Sequence, residues 1–137
     1  MKQVFINLPV EDLEKSQNFY IQLGFTEYPL FTGDNQKCVS WSENILVMLQ
    51  TKSFFSSHIS KNIADTENYL ASTYTLPVEN PDKVNEMAEN GLKSGGTEPA
   101  PMVDTGFMQM RTIRDPDGHT WGIMYLDLNK FKEQKKD

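Results

Sequence analysis

Residue types that carry out nucleophilic or metal chemistry are few in this sequence of 137 residues, and they lie far apart. The only cysteine, Cys38, lies in a strand-like run without a nearby histidine, so we expect a small buried side chain rather than a nucleophile. The two histidines are His58 and His119. His119 follows a turn, which predicts a structural or solvent-facing role. His58 has no second histidine or carboxylate pair beside it with which to bind a metal.

Two aspartates, Asp115 and Asp117, are close enough in sequence to suggest paired acid–base carboxylates. They lie in an Asp-Pro-Asp-Gly segment that ends at Gly118, and such a segment is typical of a type I turn. The pattern therefore predicts a hairpin turn rather than a catalytic pair. Arg111 and Arg114 precede the turn on opposite faces of a predicted strand, where we expect salt bridges more than an anion site.

The composition is typical of one soluble globular domain, with 38% hydrophobic and 23% charged residues. The net charge of −6 disfavours nucleic acid and anionic membranes as partners, because both attract basic surfaces. A single cysteine excludes an intrachain disulfide and suits a reducing compartment. No apolar run approaches the ~18 residues of a membrane span, and the N-terminus lacks a signal-peptide pattern. We therefore expect a cytoplasmic protein.

The tetrapeptide Leu-Pro-Val-Glu occurs at residues 8–11 and again at residues 76–79, so each copy opens one half of the chain. A helix start follows each copy, with Asp12 or Asn80 as the capping residue. Pro81 fits the first helical position, where its missing N–H does no harm. The matching order predicts two copies of one structural module.

The first helix is predicted from Leu13 to Leu23, with Gly24 as its end, and the second starts at Pro81 and ends before Gly95. Side chains at spacings of three and four should form an apolar stripe on each helix. These stripes are Leu13, Ser16, Phe19, Tyr20 and Leu23 in the first helix, and Pro81, Val84, Met87, Ala88 and Gly91 in the second. We expect both stripes to face a core.

The remaining apolar runs predict short strands. They are residues 3–8, 25–31, 37–41 and 45–51 in the first half, and residues 69–76, 97–101, 106–114 and 119–126 in the second. Prolines break two of them, 25–31 and 97–101, which favours edge positions. Each half thus has the order β-α-β-β-β, and the chain is assigned to the α+β class as a single domain.

The single domain divides into four predicted parts. Module one spans residues 1–51 and module two spans residues 69–126. Residues 52–68 form a linking arm, rich in serine, that holds two phenylalanines and is a candidate lid over a site. Residues 127–137 form a C-terminal tail in which lysines alternate with acidic residues, and we expect this tail to be solvated or frayed.

Two motifs resemble a known family. One is Val10-x-Asp12-Leu13-Glu14-x-Ser16-x-x-Phe19-Tyr20-x-x-Leu23-Gly24-Phe25, and the other is Asp115-Pro116-Asp117-Gly118-His119. Together with the two-module order, they resemble the vicinal oxygen chelate superfamily, which includes glyoxalase I, bleomycin-resistance and fosfomycin-resistance proteins and extradiol dioxygenases. The resemblance implies two βαβββ modules whose mixed sheets curl into a cup, commonly within a homodimer.

In the enzymes of this superfamily, four strand positions hold a divalent metal in the cup. The resemblance assigns these positions to Phe5, Met48, Thr73 and Gly122, none of which is His, Gln, Asp or Glu. A shift by two residues, which keeps the same face of each strand, brings in amides and hydroxyls but no histidine or carboxylate. We therefore expect no metal and no cofactor, which puts lyase and dioxygenase activity in doubt.

The same positions and their neighbours predict a small-molecule pocket lined by apolar side chains with a few hydroxyls and amides. The predicted ligand-binding residues are Phe5, Asn7, Met48, Gln50, Thr73, Thr75, Met108, Met110, Thr120 and Gly122. Methionine adapts to varied ligands, and Gly122 is expected to leave empty space in the cup.

Three functions remain open. The first is a homodimeric protein that binds a small, mainly apolar or aromatic molecule without metal, by analogy with the bleomycin-resistance branch. The second is a metal-dependent glyoxalase-like lyase or dioxygenase whose ligands lie elsewhere. The third is a protein-interaction module whose cup is filled by its own side chains. Catalytic residues stay unassigned, and whether the protein is an enzyme is left open.

Overall fold

The strands and helices follow the two halves of the sequence in a computed structural model that describes residues 2–135. The strands are β1 (Val4–Val10), β2 (Thr26–Glu27), β3 (Gln36–Ser42), β4 (Ile45–Thr51), β5 (Tyr74–Pro77), β6 (Val103–Asp104), β7 (Met108–Arg114) and β8 (Thr120–Leu126). The helices are α1 (Leu13–Leu23), α2 (Lys52–Ser56), α3 (Pro81–Lys93) and α4 (Leu128–Gln134), together with a short 3-10 helix, Pro29–Phe31.

The strands form two four-stranded mixed sheets of the same topology. Sheet one has the order β1-β4-β3-β2 and sheet two has the order β5-β8-β7-β6. In each sheet the first strand pairs in parallel with the last strand of its half, and the other neighbours are antiparallel. The α+β class predicted from the order of elements and the pair of mixed sheets implied by the resemblance are confirmed.

Local capping interactions start the two long helices where the sequence predicted. The Asp12 side chain accepts a hydrogen bond from the Lys15 backbone N–H at 3.1 Å, and the Asn80 side chain accepts one from the Lys83 N–H at 2.8 Å. Each bond satisfies a backbone donor that the first helical turn leaves free. Helix α1 ends at Gly24 as predicted.

The predicted stripes of α1 and α3 are buried in one core between the helices and both sheets. Their end residues, Leu13 and Pro81, are only half-buried. Gly91 lets α3 approach its neighbours closely, because a Cβ there would lie 3.2 Å from both Leu23 Cδ1 and Ile113 Cγ2. The core fixes the side of each sheet that α1 and α3 cover, and so leaves the opposite sides free of these two helices.

The predicted strand over residues 25–31 is wrong. Only Thr26–Glu27 is extended, and Pro29 starts the 3-10 helix that ends at Phe31. Proline has a fixed φ that suits the first turn of a helix, and it cannot donate to a sheet. In the second half, the strand predicted from residue 69 begins only at Tyr74. The predicted strand over residues 97–101 is also wrong: Thr97 makes only an isolated bridge to Arg114, and the next strand, β6, begins at Val103.

Two segments predicted without regular structure contain helices. The arm (residues 52–68) begins with α2, which Thr51 caps through a hydrogen bond from the Phe54 N–H. The predicted frayed tail forms α4, where Asp127 is the cap and the Phe131 ring lies 5.4 Å from the Phe107 ring. Aromatic packing and the cap stabilise this helix despite its charged sequence. The tail's last two residues, 136 and 137, and Met1 lie outside the described residues. No helix in residues 2–135 is long and apolar enough to cross a membrane.

Candidate functional site: the sheet faces opposite helices α1 and α3

Strand alternation divides the predicted site residues between the two sheet faces that lie opposite α1 and α3. On β1, Leu8 and Val10 point to the core, so Phe5 and Asn7 project to the other side. Pairing places Asn7 beside Met48, and Gln50 follows on the same side of β4. We call this set, Phe5, Asn7, Met48 and Gln50, face one. Face two consists of Thr75, Met108, Met110, Thr120 and Gly122, which alternate in the same way on β5, β7 and β8.

Face one carries an aromatic cluster that the sequence did not predict. The Phe5 ring lies 5.7 Å from the Phe31 ring, edge to face, and the Tyr28 ring stacks on Phe31 at 5.4 Å. Phe5 is 42% exposed and Phe31 is 38% exposed, so both rings present surface to solvent. Tyr28 and Phe31 were missed because residues 25–31 resembled a strand. The sign that could have revealed them is Pro29 between two aromatic residues.

The floor of face one is well packed and only sparsely polar. Met48 is buried with Cys38 and Leu46, and Tyr28 packs against this group. The Gln50 amide nitrogen donates to the Gln36 side-chain oxygen at 3.1 Å. Face one can therefore offer an incoming molecule apolar surface with few free polar groups.

Face two is filled from within, and the predicted empty space at Gly122 is wrong. A Cβ on Gly122 would lie 3.1 Å from the Met110 sulfur and 3.3 Å from the Thr75 hydroxyl oxygen. Both distances are tighter than ordinary van der Waals contact. The side chain of Met110, on the neighbouring strand, therefore occupies the space that the missing side chain leaves, since a flexible thioether fills irregular gaps.

The hydroxyls predicted near face two differ in their positions. Thr73 is exposed and precedes β5, so it lies outside the strand. Thr120 is buried, and its hydroxyl donates to the Gly118 carbonyl at 3.2 Å. Thr75 is exposed beside Gly122. Of the three, Thr75 is the hydroxyl on face two that combines a strand position with exposure.

A buried polar network joins the two halves on the helix side. The Tyr20 hydroxyl donates to Asp115 Oδ2 at 2.6 Å, and Trp121 Nε1 donates to the Tyr20 oxygen at 3.0 Å. Asp115 Oδ1 accepts from the backbone N–H groups of Asp117 and His119, both at 2.9 Å. Burial raises the pKa of the Asp115 carboxyl and raises the pKa of Tyr20 well above its ordinary value. The predicted hairpin turn is present, and its first residue also links two distant segments.

Residues 2–39 of the chain match a family model described as bleomycin resistance protein-like N-terminal. A glyoxalase/bleomycin resistance protein/dioxygenase family enzyme from Burkholderia phytofirmans has a similar structure, with a TM-score of 0.76, 13% identity and coverage of 92% of this chain and 99% of that chain. A glyoxalase-related enzyme from Fulvimarina pelagi gives a TM-score of 0.77, 20% identity and coverage of 91% and 88%. A hypothetical protein from S. aureus gives a TM-score of 0.76 and 21% identity, with coverage of 91% of this chain and 94% of that chain. Among curated proteins, none matches this sequence.

The predicted resemblance is borne out by the family model over residues 2–39, and the similar structures share the predicted fold. The four positions at which the superfamily resemblance places metal ligands are Phe5, Met48, Thr73 and Gly122. Their donor chemistry does not fit a hard divalent metal, because together they offer one thioether and one hydroxyl. Within residues 2–135, no group of three or more His, Cys, Asp or Glu side chains is placed to hold a metal ion.

The two histidines do not add a ligand set to the superfamily fold. His119 is buried, and its Nε2 lies 2.8 Å from the Pro9 carbonyl oxygen, which gives it the structural role that was predicted. His58 is exposed just after α2, with its ring 4.7 Å from Phe54. The pair therefore supplies no shared site.

Cys38 and Arg111 have the roles that the sequence predicted for them, whereas Arg114 makes no salt bridge among residues 2–135. Cys38 is fully buried, and burial raises the pKa of its thiol to about 11, which keeps it unreactive at neutral pH. Arg111 makes two hydrogen bonds to the Glu98 carboxylate, at 2.9 and 2.8 Å, and lies 3.0 Å from Glu89. Its guanidinium lowers the pKa of Glu98 mainly through these hydrogen bonds. Arg111 is therefore held in an ion pair.

Proposed function

We propose that this protein binds a small, mainly apolar or aromatic molecule on face one without a metal. The observation that carries this proposal is the exposed pair of rings, Phe5 and Phe31, beside the packed floor around Met48. Exposed aromatic rings fixed on a sheet favour binding of a flat, apolar small molecule, because the rings can stack with it. The match of residues 2–39 to a bleomycin resistance protein-like family supports sequestration of the ligand rather than its turnover.

We further propose that two copies of the chain assemble around this site. Large apolar side chains are exposed near each face: Phe5, Leu30 and Phe31 beside face one, and Met102 and Val103 beside face two. Patches of this kind mark surfaces that bind a partner, and a two-fold dimer would cover both sets at once. We expect a homodimer in light scattering at micromolar concentration. A monomer under these conditions contradicts the assembly.

The ligand proposal is tested with 1-naphthol as a two-ring probe. We expect Phe5→Ala to weaken binding by about tenfold, because it removes one aromatic contact and its buried area. Val4→Ala is the matched control, since Val4 is exposed on the same strand but belongs to the opposite side. Titration calorimetry measures both. Equal binding by the two variants contradicts a site on face one.

Metal independence is tested on the same protein. Since the donor set does not fit a divalent ion, removing metal with a chelator should leave 1-naphthol binding unchanged. Added zinc, nickel or manganese should not raise the melting temperature, because a ligand stabilises only the folded state that binds it. A stoichiometric ion bound through side chains, together with a raised melting temperature, favours instead a metal-dependent enzyme with displaced ligands.

A further inference from the structure

A separate cavity of about 210 Å³ lies between the arm and the open edge of β1. Asn7, Leu8 and Pro9 form the wall on the β1 side, and α2 contributes Phe55. Ile63 and the segment 69–72 close it from the other side. Asn7 is the one residue of the two faces that lines this cavity. Because Phe5 and Met48 do not line it, the cavity is distinct from the ligand site proposed above.

The walls of the cavity are mainly apolar. Its large side chains include Phe55, Ile63, Tyr69, Leu70 and Tyr74, and no Asp, Glu, Lys or Arg of the described chain is among its lining residues. Transfer of a charged group into such a space without a partner is costly, so a charged ligand is disfavoured. Cavities of about 150 Å³ with similar walls bind benzene, so the volume here accommodates one ring with a substituent.

Contacts on both sides of the cavity hold the arm in place. On one side, Thr51 caps α2. On the other, the Thr66 hydroxyl donates to the Asp117 carbonyl, and the Thr66 carbonyl lies directly against Gly118. Gly118 permits this contact because it has no side chain, and its φ of +90° is one that glycine adopts readily. The walls therefore exist without a ligand, which lowers the entropic cost of binding.

His119 is one of the polar residues that line the cavity, and one of its ring nitrogens contacts the main chain. Its Nε2 lies 2.8 Å from the Pro9 carbonyl oxygen, which can only accept, so Nε2 must carry the proton. In the neutral ring, Nδ1 is then a hydrogen-bond acceptor. A ligand that combines an apolar ring with a hydroxyl donor matches these groups.

We propose that this arm cavity binds one small, uncharged aromatic molecule that bears a hydroxyl group, of the size of phenol. The ring contacts Ile63, Leu70 and Phe55, and the hydroxyl donates to His119 Nδ1. This site shares only Asn7 with face one and needs no metal.

The test uses phenol and the full-length protein, with amide chemical shifts followed by NMR. We expect shifts at residues 63–72 and at His119. The variant Ile63→Trp places a larger ring in the cavity, and we expect it to weaken phenol binding by about tenfold or more. Ile59→Trp is the matched control, because Ile59 is an exposed isoleucine of the same arm that does not line the cavity. Equal binding by these two variants overturns the proposal.

Related probes separate the parts of the proposal. Toluene has the size of phenol but no hydroxyl, and we expect it to bind roughly five- to tenfold more weakly, as for the loss of one hydrogen bond. Benzoate at neutral pH should bind more weakly still, because its charge has no partner. Benzoate binding as tight as phenol binding contradicts an uncharged site. Phe5→Ala should leave phenol binding intact and Ile63→Trp should leave 1-naphthol binding intact, so either site can fail without the other.

Discussion

The two sheets share strand order and helix caps, yet their faces opposite α1 and α3 differ in what covers them. Face one presents exposed rings at Phe5 and Phe31 above a packed floor. Face two instead places the Met110 side chain over Gly122 and so closes the space that a ligand would use. The two halves therefore share the strand order and the helix caps. The side chains on each face determine which half can accept a ligand.

The turns before the last strand of each half differ in a second way. In the first half, the turn after β3 contacts its own sheet, since Asn44 O accepts from the Val4 N–H at 2.8 Å. In the second half, the turn reaches the first half through Asp115, Tyr20 and the contact between Asp117 and the Glu11 N–H. The turn at Asn44 thus makes contacts within its own sheet, whereas the turn at Asp115 connects the two halves of the chain.

The largest expected difference between the halves is at these turns. Asp115→Ala leaves three donors without their acceptor, namely the Tyr20 hydroxyl and the N–H groups of Asp117 and His119. We expect a loss of about 3 kcal/mol or more in the free energy of unfolding, measured by urea denaturation. Asn44→Ala, the counterpart in the first half, should stay within about 0.5 kcal/mol, because its backbone hydrogen bond remains. Equal losses would refute the asymmetry.

The faces should respond differently to an enlarged side chain. Gly122→Phe collides with Met110 and Thr75, so we expect it to lower the free energy of unfolding by about 1–3 kcal/mol. Asn7→Phe enlarges an exposed position on face one and should cost less than about 0.5 kcal/mol. In the double variant Gly122→Phe with Met110→Ala, part of the loss should return, because the space is vacated. A fully stable Gly122→Phe protein would mean that face two is open after all.

The smallest expected effect concerns the ion pairs of the two halves. Glu98→Gln weakens the paired hydrogen bonds to Arg111 and should cost about 1 kcal/mol at pH 7. The pKa of Glu98 is lowered in the folded protein, so this stability is present above the ordinary glutamate pKa and is lost as pH falls through the folded value. In the first half, Lys37 lies 3.4 Å from Glu14, whose side chain is 85% exposed, and Glu14→Gln should be nearly neutral. Matching pH profiles of unfolding for both variants would contradict this ranking.

Local signals explain why the framework could be predicted from the sequence. Asp12, Asn80 and Gly24 act within one helical turn of the residues they cap, so their types alone locate the helix ends. The stripes of α1 and α3 follow from a fixed helical period. Pro29 misled the prediction because the apolar residues around it fit both an edge strand and a 3-10 helix.

The space available on each face depends on contacts between residues that are distant in the sequence. A local sequence pattern does not reveal such contacts. Met110 covers Gly122 from the neighbouring strand, and sequence spacing says nothing about which way a flexible thioether turns. Tyr20 and Asp115 each fit a local role, one on a helix stripe and one in a turn, and their hydrogen bond depends on how the halves pack. The prediction therefore placed the face residues on strands but misjudged how much space they leave.

The contact between Thr66 and Gly118 has a consequence for the order in which the molecule assembles. The arm is synthesised before β7 and β8. However, the residues that it packs against, Asp117 and Gly118, lie in the turn that joins those two strands. We therefore expect the arm to stay undocked until the C-terminal hairpin has closed, so that the cavity beneath it is among the last features to form. Any substitution of Gly118 should delay or prevent this final step, since a side chain there would displace the arm.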